Sequence, residues 1–164
     1  MADENLRKLV AQGLTAMRDG GRIAEQATQE IRNDASSPDL RQALEEGSRT
    51  SRQWRERIER ALGQIGEQGG EAQGNPVLEA HYEVSRRIRG NAPDERSRDL
   101  GIIANGQMAL HYWIASFGTM RNYLDKLGES DLAQDFRQSD EEAKQADQKH
   151  NDLAEQLLRQ PEHA

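Results

Sequence analysis

The chain has 164 residues, of which 34% are hydrophobic and 31% charged, with a formal net charge of −7 and no cysteine. Its length predicts one domain, and its small apolar fraction favours long helices with narrow apolar stripes over a sandwich or a parallel sheet. The missing cysteines exclude disulfides, thiol catalysis and cysteine-ligated metals, and the acidic balance argues against nucleic-acid binding.

The first predicted helix, α1, runs from about Asp3 to Asn33. Its stripe of apolar and small residues has spacings of mostly three and four: Leu6, Leu9, Val10, Gly13, Ala16, Gly20, Ala24, Ala27 and Ile31. Two glycines, Gly20 and Gly21, lie in the middle of this helix, where they cost about 2 kcal/mol relative to alanine. We therefore expect either a kink or a large partner side chain at this point.

The second helix, α2, is predicted to start at Pro38, with Ser37 as its N-cap. Its seam follows a four-three rhythm: Leu40, Leu44, Gly47, Ser51, Trp54, Ile58, Ala61 and Ile65. The residues at the centre of this seam are small or polar. The glycine-rich segment Gly63–Gly74 comes next and predicts a flexible surface loop.

Three more helices follow. The short α3 is predicted from about Pro76 to Arg89, and Pro93 opens α4, the most apolar helix, which ends at Lys126 before a glycine stop at Gly128. Ser130 is predicted to cap α5. The seam of α5 is again small or polar at its centre: Leu132, Phe136, Ser139, Ala143, Ala146, His150, Leu153 and Leu157.

These elements predict an all-α fold, a ferritin-like antiparallel four-helix bundle with one additional short helix. We expect a single domain over residues 1–159, with a flexible loop at about 63–75 and a frayed tail at 160–164. The centre of such a bundle is where metal and cofactor sites are built. The small and polar residues at the centres of α2 and α5 therefore direct attention to that region.

Arginines cluster on α2 and are interleaved with glutamates: Arg49, Arg52, Arg55, Arg57 and Arg60. This pattern is typical of a solvated helix face. A helical adaptor that docks an acidic partner through the same face is a weaker alternative.

A di-metal bundle site requires about four carboxylates and two histidines that face inward. His81 and His111 lie on apolar stretches, and His150 lies on the α5 seam, but a helix with the spacing Glu-x-x-His is missing. On α5, Glu142 and Asp147 are candidates, whereas Asp140 and Glu141 are expected off the seam. These histidines and carboxylates are too few for a di-metal site. The sequence also contains no nucleotide-binding fingerprint and no catalytic triad.

The run SRDLGIIANGQMALHY (Ser97–Tyr112), followed by SFGTMRNYLDKLG and DEEAKQADQKHNDLAE, resembles the YciE/YciF family of bacterial ferritin-like proteins. The turn SSPDLRQALEEG also looks like the family's entry into its second helix. The resemblance covers nearly the whole chain and is weakest in the glycine-rich loop. It implies a ferritin-like fold, a di-iron-type centre in typical members, a frequent link to stress responses and dimeric assembly.

The resemblance places the family's metal ligands near or at residues of other types: Gly21, Thr50, Trp54, Leu110, Trp113 and Ala143. His111, Glu141, Glu142 and Asp147 are retained. Burying several carboxylates without a metal would cost free energy, so the loss of several of them together is consistent with the loss of the metal. We interpret the change as a hydrophobic plug that has replaced the metal pair, with Trp54 in the space opposite Gly20 and Gly21.

The leading hypothesis is a non-catalytic structural or interaction protein, associated with stress responses through its family, with no cofactor and no catalytic residue. The alternative is a stress enzyme of the ferroxidase or peroxidase type that uses iron or manganese. Its remnant metal site would consist of His111, Glu142, Asp147 and His150.

We also predict a homodimer, because α4 carries more apolar residues than one inward face can bury: Leu110, Tyr112, Trp113, Ile114, Phe117, Met120 and Leu124. No nucleic-acid or membrane partner is expected, and the sequence does not identify a protein partner. No apolar leader or membrane-length apolar run is visible, so we expect a cytoplasmic location.

Overall fold

The computed structural model describes residues 2–65 and 72–160, and within them it contains five helices and no strand. The helices are α1 (Ala2–Asp34), α2 (Pro38–Ile65), α3 (Pro76–Asn91), α4 (Glu95–Lys126) and α5 (Ser130–Arg159). The predicted all-α class is confirmed. The predicted loop begins too early, because α2 continues to Ile65; residues 66–71 of that loop, and residues 161–164 of the predicted frayed tail, lie outside the described residues.

Polar side chains fix the helix starts. Ser37 is the N-cap of α2 as predicted, and its Oγ accepts a 3.4 Å hydrogen bond from the Leu40 N–H. The fourth helix starts two residues later than its proline suggested, because Asp94, not Pro93, occupies the cap position and accepts a 2.6 Å bond from the Ser97 N–H. Proline has no N–H and commonly precedes or opens a helix, so the two-residue error is within the usual uncertainty of a helix start.

Gly128 ends α4 as predicted, in the left-handed conformation at φ 79°. Its N–H donates to the Asp125 carbonyl at 3.0 Å, and the Glu129 N–H donates to the Leu124 carbonyl at 2.9 Å. This pair of bonds is a Schellman motif. The predicted cap at Ser130 is wrong, because Glu129 occupies that position and makes no capping bond through its side chain.

The topology follows from the connections. Short links at residues 35–37 and 127–129 make α1–α2 and α4–α5 antiparallel hairpins. The two hairpins pack through α1 against α4 and α2 against α5, and α3 lies against α1 and α4. Gln156 donates to Asp39 at 3.0 Å and so joins the end of α5 to the start of α2. All neighbouring pairs in the bundle are therefore antiparallel, and α3 belongs to the long crossover.

The α1–α2 turn is held by a buried carboxylate on a distant helix. Asp99, 2% exposed, accepts the Ser36 N–H at 2.8 Å and the Ser37 N–H at 2.7 Å. The neighbouring Arg98 donates to the Asp34 carbonyl at 2.8 Å and to Ser36 Oγ at 2.9 Å. Arg98 and Asp99, near the start of α4, thus form a clamp that holds the turn between α1 and α2.

A second buried carboxylate, Asp19, fixes the approach to α3. It accepts the N–H groups of Gln73 at 2.8 Å and Gly74 at 3.1 Å and pairs with Arg18. Burial alone would raise the pKa of Asp19, but these donors hold it below its ordinary value. Gly74 has a positive φ of 71°, which a side chain would strain, so the segment before α3 requires glycine there.

The core consists of two clusters, one at each end of the bundle. The cluster at the α4–α5 turn includes Val10, Leu14, Ile58, Phe117, Leu124 and Phe136. The cluster at the α1–α2 turn includes Ile31, Leu40, Leu44, Ile102, Ile103 and Leu157. Each cluster draws on all four long helices, so the two together hold the bundle at both ends.

The seven apolar residues of α4 on which the dimer prediction rested are buried or partly buried within the chain itself. Trp113, Phe117, Met120 and Leu124 are at most 8% exposed, and Leu110, Tyr112 and Ile114 pack partly buried against the same cluster. The premise of the dimer prediction, surplus apolar area on α4, is therefore wrong, and the homodimer itself stays a prediction. None of the helices described here has a stretch both long and hydrophobic enough to cross a bilayer.

Candidate functional site

A cavity of about 330 Å³ separates the two core clusters in the middle of the bundle. It is lined by residues of all five helices, with Ala24 from α1, Trp54 from α2, Tyr82 from α3, Asn105 from α4 and His150 from α5. Glu46 and Lys149 also line it and form an ion pair between α2 and α5. Their side chains are 43% and 45% exposed, so this pair marks the place where the cavity reaches the surface.

The cavity exists because the facing positions carry small side chains. Its lining includes Ala24, Ala43, Gly47, Gly106, Ala109 and Ala146, which come from the four long helices. Of these, Ala24, Gly47 and Ala146 lie on the seams that the sequence showed to be small at their centres on α1, α2 and α5. Protein interiors are otherwise filled at nearly crystalline density, so a gap of this size is a built feature of the bundle.

Aromatic rings form the wall towards the α4–α5 turn. Trp54 packs against Trp113 with ring centroids 6.1 Å apart, and against the edge of Phe117 at 5.1 Å. Trp113 stacks on Phe117 at 5.6 Å, and Phe117 meets Phe136 edge-on at 5.8 Å. Such tilted and stacked pairs are the favoured geometries of aromatic rings. Trp54 and Trp113 of this cluster also line the cavity.

Glu142 anchors this wall by a network of hydrogen bonds. It accepts the Trp54 indole N–H at 2.8 Å, two bonds from the Arg57 guanidinium at 2.7 and 3.1 Å, and one from the Gln138 amide at 2.9 Å. Arg57 also donates to Ser139 at 2.9 Å. Burial would raise the pKa of Glu142, but Arg57 and the other donors lower it, so the carboxylate is ionised.

The predicted plug is therefore incomplete. Trp54 is buried as expected, 5% exposed, but it shares its wall with a cavity and does not fill the bundle centre. Its predicted position opposite Gly20 is wrong. A Cβ at Gly20 would lie 2.7 Å from Asn75 Nδ2 and 2.8 Å from a Leu78 methyl, so this glycine admits the start of α3. Sequence spacing alone did not reveal that close approach.

The side of Gly21 is open, since a Cβ there would meet no other atom within 4 Å. Gly21 and Trp54 do line one small gap of about 10 Å³. Asn75 uses the space beside Gly20 to donate to the Ala16 carbonyl at 3.0 Å and to the Tyr112 hydroxyl at 2.8 Å. At Gly20 the middle of α1 is thus a contact for α3, whereas Trp54 lies beside α1 near Gly21.

Two histidines, the buried His150 and the half-buried His81, line the cavity in the neutral form. His150 Nδ1 donates to the Ala146 carbonyl at 2.8 Å, which leaves Nε2 unprotonated. This Nε2 lies over Gly106, where a Cβ would approach to 2.8 Å. Burial lowers the pKa of His150 and of His81 on α3. The Nε2 atom of His81 is buried and has no hydrogen-bond partner among the described residues.

The four remnant candidates do not come together. His111 donates from Nε2 to Asp147 at 3.1 Å, but its side chain is 67% exposed, so this pair lies at the surface. Glu142 points to Arg57, and His150 lies against Gly106 and its own helix. Within residues 2–65 and 72–160, no three histidine, aspartate or glutamate side chains are grouped as a metal ion would need. The donor set does not fit a di-metal centre.

Other carboxylates of α5 are also committed elsewhere. Asp140, which the sequence placed off the seam, is 3% exposed and pairs with Lys144 at 2.8 Å and Arg121 at 3.7 Å. Its burial against α4 was missed because Arg121, its partner on that helix, is not visible from spacing. Ala143, where the resemblance places a ligand, is fully buried in the apolar core.

The arginines of α2 are largely neutralised within the chain. Arg49 pairs with Glu45, Arg55 with Glu25, Arg57 with Glu142 and Arg60 with Asp135. On α3, Arg87 pairs with Glu83 at 3.1 Å, as the four-residue spacing predicted. These pairs support the solvated-face interpretation over a docking surface for an acidic partner.

Sequence reasoning missed Asn105. It is 4% exposed, donates from Nδ2 to the Gly101 carbonyl at 2.8 Å, and has a buried Oδ1 without a partner in the described part of the chain. A signal was present, because Ile102, Asn105, Ala109 and Trp113 are spaced by three and four along the most apolar helix. A polar residue on that stripe had to be inward-facing.

Comparisons with known proteins agree with this fold. The chain superposes on the E. coli stress protein YciF with a TM-score of 0.90 and 22% sequence identity, over 95% of this chain and 98% of that chain. It superposes on YcfI, "a putative structural protein from Rhodopseudomonas palustris", with a TM-score of 0.83 and 23% identity, over 89% of this chain and 92% of that chain. A search of curated proteins gave no match.

These superpositions confirm the YciF-like fold that the sequence resemblance implied, and at this level of identity they bear on the fold alone. The family match covers nearly the whole chain, from residue 5 to residue 162. The protein therefore belongs to the family described as "Domain of unknown function (DUF892)".

Proposed function

We propose that this chain is a non-catalytic, ferritin-like structural or interaction protein whose bundle interior is aromatic and aliphatic where typical relatives would hold metals. The observation that carries the proposal is the state of Glu142. Both of its oxygens already accept bonds, from Arg57, Trp54 and Gln138. A carboxylate occupied in this way is a structural anchor and has little capacity left for a metal ion.

The other positions support the same proposal. Thr50, Leu110 and Trp113 line the cavity, and Ala143 is buried beside it. These side chains cannot supply the hard anionic oxygens that iron and manganese sites of bundles use. The surface pair of His111 and Asp147 offers too few ligands to compensate. The enzyme alternative therefore has less support than the structural one.

A role in stress responses and a cytoplasmic location complete the proposal. The first is suggested by the similarity to YciF, which is named a stress protein, and the structural role agrees with the name of YcfI. The second rests on the charged, acidic composition of the chain.

Metal content tests the proposal directly. We expect protein from cells grown with added iron and manganese to contain well below one metal ion per chain, to show no ferroxidase activity, and to gain no thermal stability from added metal, because only a ligand of the folded state raises stability. Glu142→Gln, which keeps an acceptor for Trp54, and His111→Ala are the matched variants. One or two ions per chain that are lost in these variants would refute the structural role and favour the enzyme.

We also propose that the chain forms a homodimer through α3. Val77 and Val84 are 65% and 45% exposed and lie two helical turns apart, so they share an outward face. Light scattering at micromolar concentration should give the mass of a dimer, and Val84→Glu should shift it towards the monomer. Met108→Glu, at an exposed site on α4, is the control and should have no effect. A monomeric wild type would refute the dimer.

A further inference from the structure

The cavity described above has the size of a ligand pocket. At about 330 Å³ it lies within the usual range for small-molecule sites. It is roughly twice the volume of an engineered 150 Å³ cavity that binds benzene, which scales to a ligand of about 13 non-hydrogen atoms. A substituted molecule with two fused rings has this size.

The cavity wall favours an aromatic occupant. Trp54 and Trp113 present ring surfaces tilted by 47° to each other, and they are held by Phe117 behind them. Aromatic side chains interact best with other rings in offset or edge-to-face geometry. The opposite side is formed by Leu44 and Ile102, which offer apolar area without polar competition.

Two unsatisfied polar atoms mark one side of the cavity. The orientation of Asn105 is set by its bond to Gly101, so its buried, unpartnered Oδ1 is an acceptor. The Nε2 atom of His81, on the neighbouring α3, is also buried and unpartnered among the described residues. Buried polar atoms are normally paired, so each exception requires a partner. Because Asn105 Oδ1 has less than 1 Å² of exposed surface, a ligand hydroxyl or N–H group would pair with it after a small rotation of the Asn105 side chain towards the cavity.

The charge around the cavity excludes an ionic occupant. Glu142 is held by Arg57, and Glu46 is paired with Lys149 at the surface end. His150 is neutral and its Nδ1–H is bonded to its own helix. A ligand charge in the interior of the cavity, away from the Glu46–Lys149 end, would therefore be buried without compensation, which is strongly unfavourable.

The geometry points to a binding site in this cavity for a small, neutral, two-ring aromatic molecule with a hydrogen-bond donor that bonds to Asn105. This inference goes beyond the proposed structural role, since it assigns the bundle centre a ligand and does not depend on the metal content of the protein. In this site the tryptophan wall binds the rings, and Asn105 selects the donor.

Three probe molecules test separately whether the ligand binds, whether it needs a hydrogen-bond donor, and whether it must be neutral. They are 2-naphthol, which is neutral with an O–H donor, 2-methoxynaphthalene, which lacks the donor, and 2-naphthoate, which is anionic. We expect calorimetry and tryptophan fluorescence to show one saturable site per chain for 2-naphthol. The methoxy compound should bind about tenfold more weakly, as for the loss of one hydrogen bond, and the anion should not bind measurably.

Variants locate the site. Gly47 lines the cavity and has no neighbouring atom within 4 Å of a Cβ, so Gly47→Leu should fill the space and abolish 2-naphthol binding. Gly118→Leu is the matched control, because this glycine of α4 is equally free of neighbours but lies outside the cavity, and binding should persist. Asn105→Ala should reduce 2-naphthol affinity to that of the methoxy compound and leave the latter unchanged.

The outcomes decide the proposal even if Asn105→Ala does not fold, because the two neutral probes test the same bond on the wild type. No saturable binding of any probe, equal binding by Gly47→Leu, or tighter binding of the anion would each refute the site. These results are independent of elemental analysis. A metal-containing protein that binds 2-naphthol would overturn the proposed function only, and a metal-free protein that binds nothing would overturn this inference only.

Discussion

The indole N–H of Trp54 on α2 donates a 2.8 Å hydrogen bond to Glu142 on α5. The bond joins the two helices at the aromatic end of the cavity, and Arg57 holds the same carboxylate from one turn further along α2. The Trp54 side chain thus contributes both ring packing and a hydrogen bond between two helices. The two contributions can be separated by substitution.

Trp54→Ala should lower the free energy of unfolding by about 3–5 kcal/mol, because it removes a buried ring from the aromatic cluster. Trp54→Phe keeps most of the ring packing but removes the bond to Glu142, and we expect a loss of about 1–2 kcal/mol. Urea denaturation measures both. A change within about half a kcal/mol for Trp54→Ala would show that the indole is not part of the core.

Gly106→Ala should destabilise the protein although alanine is the better helix former. The new Cβ would lie 2.8 Å from Nε2 and 2.9 Å from Cδ2 of His150, whose ring is fixed by its bond to Ala146. We expect a loss of about 1–3 kcal/mol from overpacking. Gly118→Ala is the matched control on the same helix, with no neighbour within 4 Å. It should stabilise the protein by up to about 1 kcal/mol, and thermal melts of the two variants should shift in opposite directions.

Mild acid should destabilise the protein through its buried histidines. Burial lowers the pKa values of His150 and His81 below 6.5, so the unfolded chain takes up protons before the folded chain does. The free energy of unfolding is therefore unaffected by these groups well above 6.5 and falls as the pH drops from there towards the folded pKa values.

Urea midpoints at about pH 7.5 and pH 5.5 measure this effect. Asp147 opposes the shift of His150 and Lys149 adds to it, while Glu46, His81 and Glu142 are the other titratable groups that line the same cavity. His150→Gln should retain the His81 contribution and lose its own part of the pH dependence. An unchanged pH dependence in His150→Gln would show that the pKa of His150 is the same in the folded and the unfolded chain.

Asp99→Asn should weaken the α1–α2 turn. The carboxylate accepts the N–H groups of Ser36 and Ser37, and an amide can accept only with its single oxygen. We expect a loss of about 2–3 kcal/mol in urea denaturation, as for a charged hydrogen bond removed from a buried site. Asp94→Asn is the control, because an asparagine N-cap is nearly as good as aspartate. An equal effect of the two substitutions would contradict the clamp.

The helices could be predicted from the sequence, because apolar stripes and capping residues are local signals. Pro38 and Gly128 act through their own backbone geometry, so they marked helix ends correctly. The resemblance identified the positions around the bundle centre. The partners across helices were not predictable from spacing. The neighbours of Gly20 turned out to be Asn75 and Leu78, because they reach α1 through a crossover whose path the sequence does not specify.

The cavity was not predictable for a related reason. Thr50 and Leu110 were assigned to the centre correctly, but whether their side chains fill the space depends on the distances between helices. Those distances are set by the contacts at the two core clusters and by close approaches such as His150 on Gly106. A volume that results from many such contacts has no signature in any single helix.

The Asp99 clamp also determines how the two hairpins can assemble. Its bonds to Ser36 and Ser37 connect residues 63 and 62 positions apart, so the α1–α2 turn acquires these acceptors only after α4 has docked. Long-range contacts of this kind form at the cost of loop-closure entropy and are gained late in folding. The first hairpin is therefore incomplete on its own, and the clamp makes the two hairpins fold as one cooperative unit.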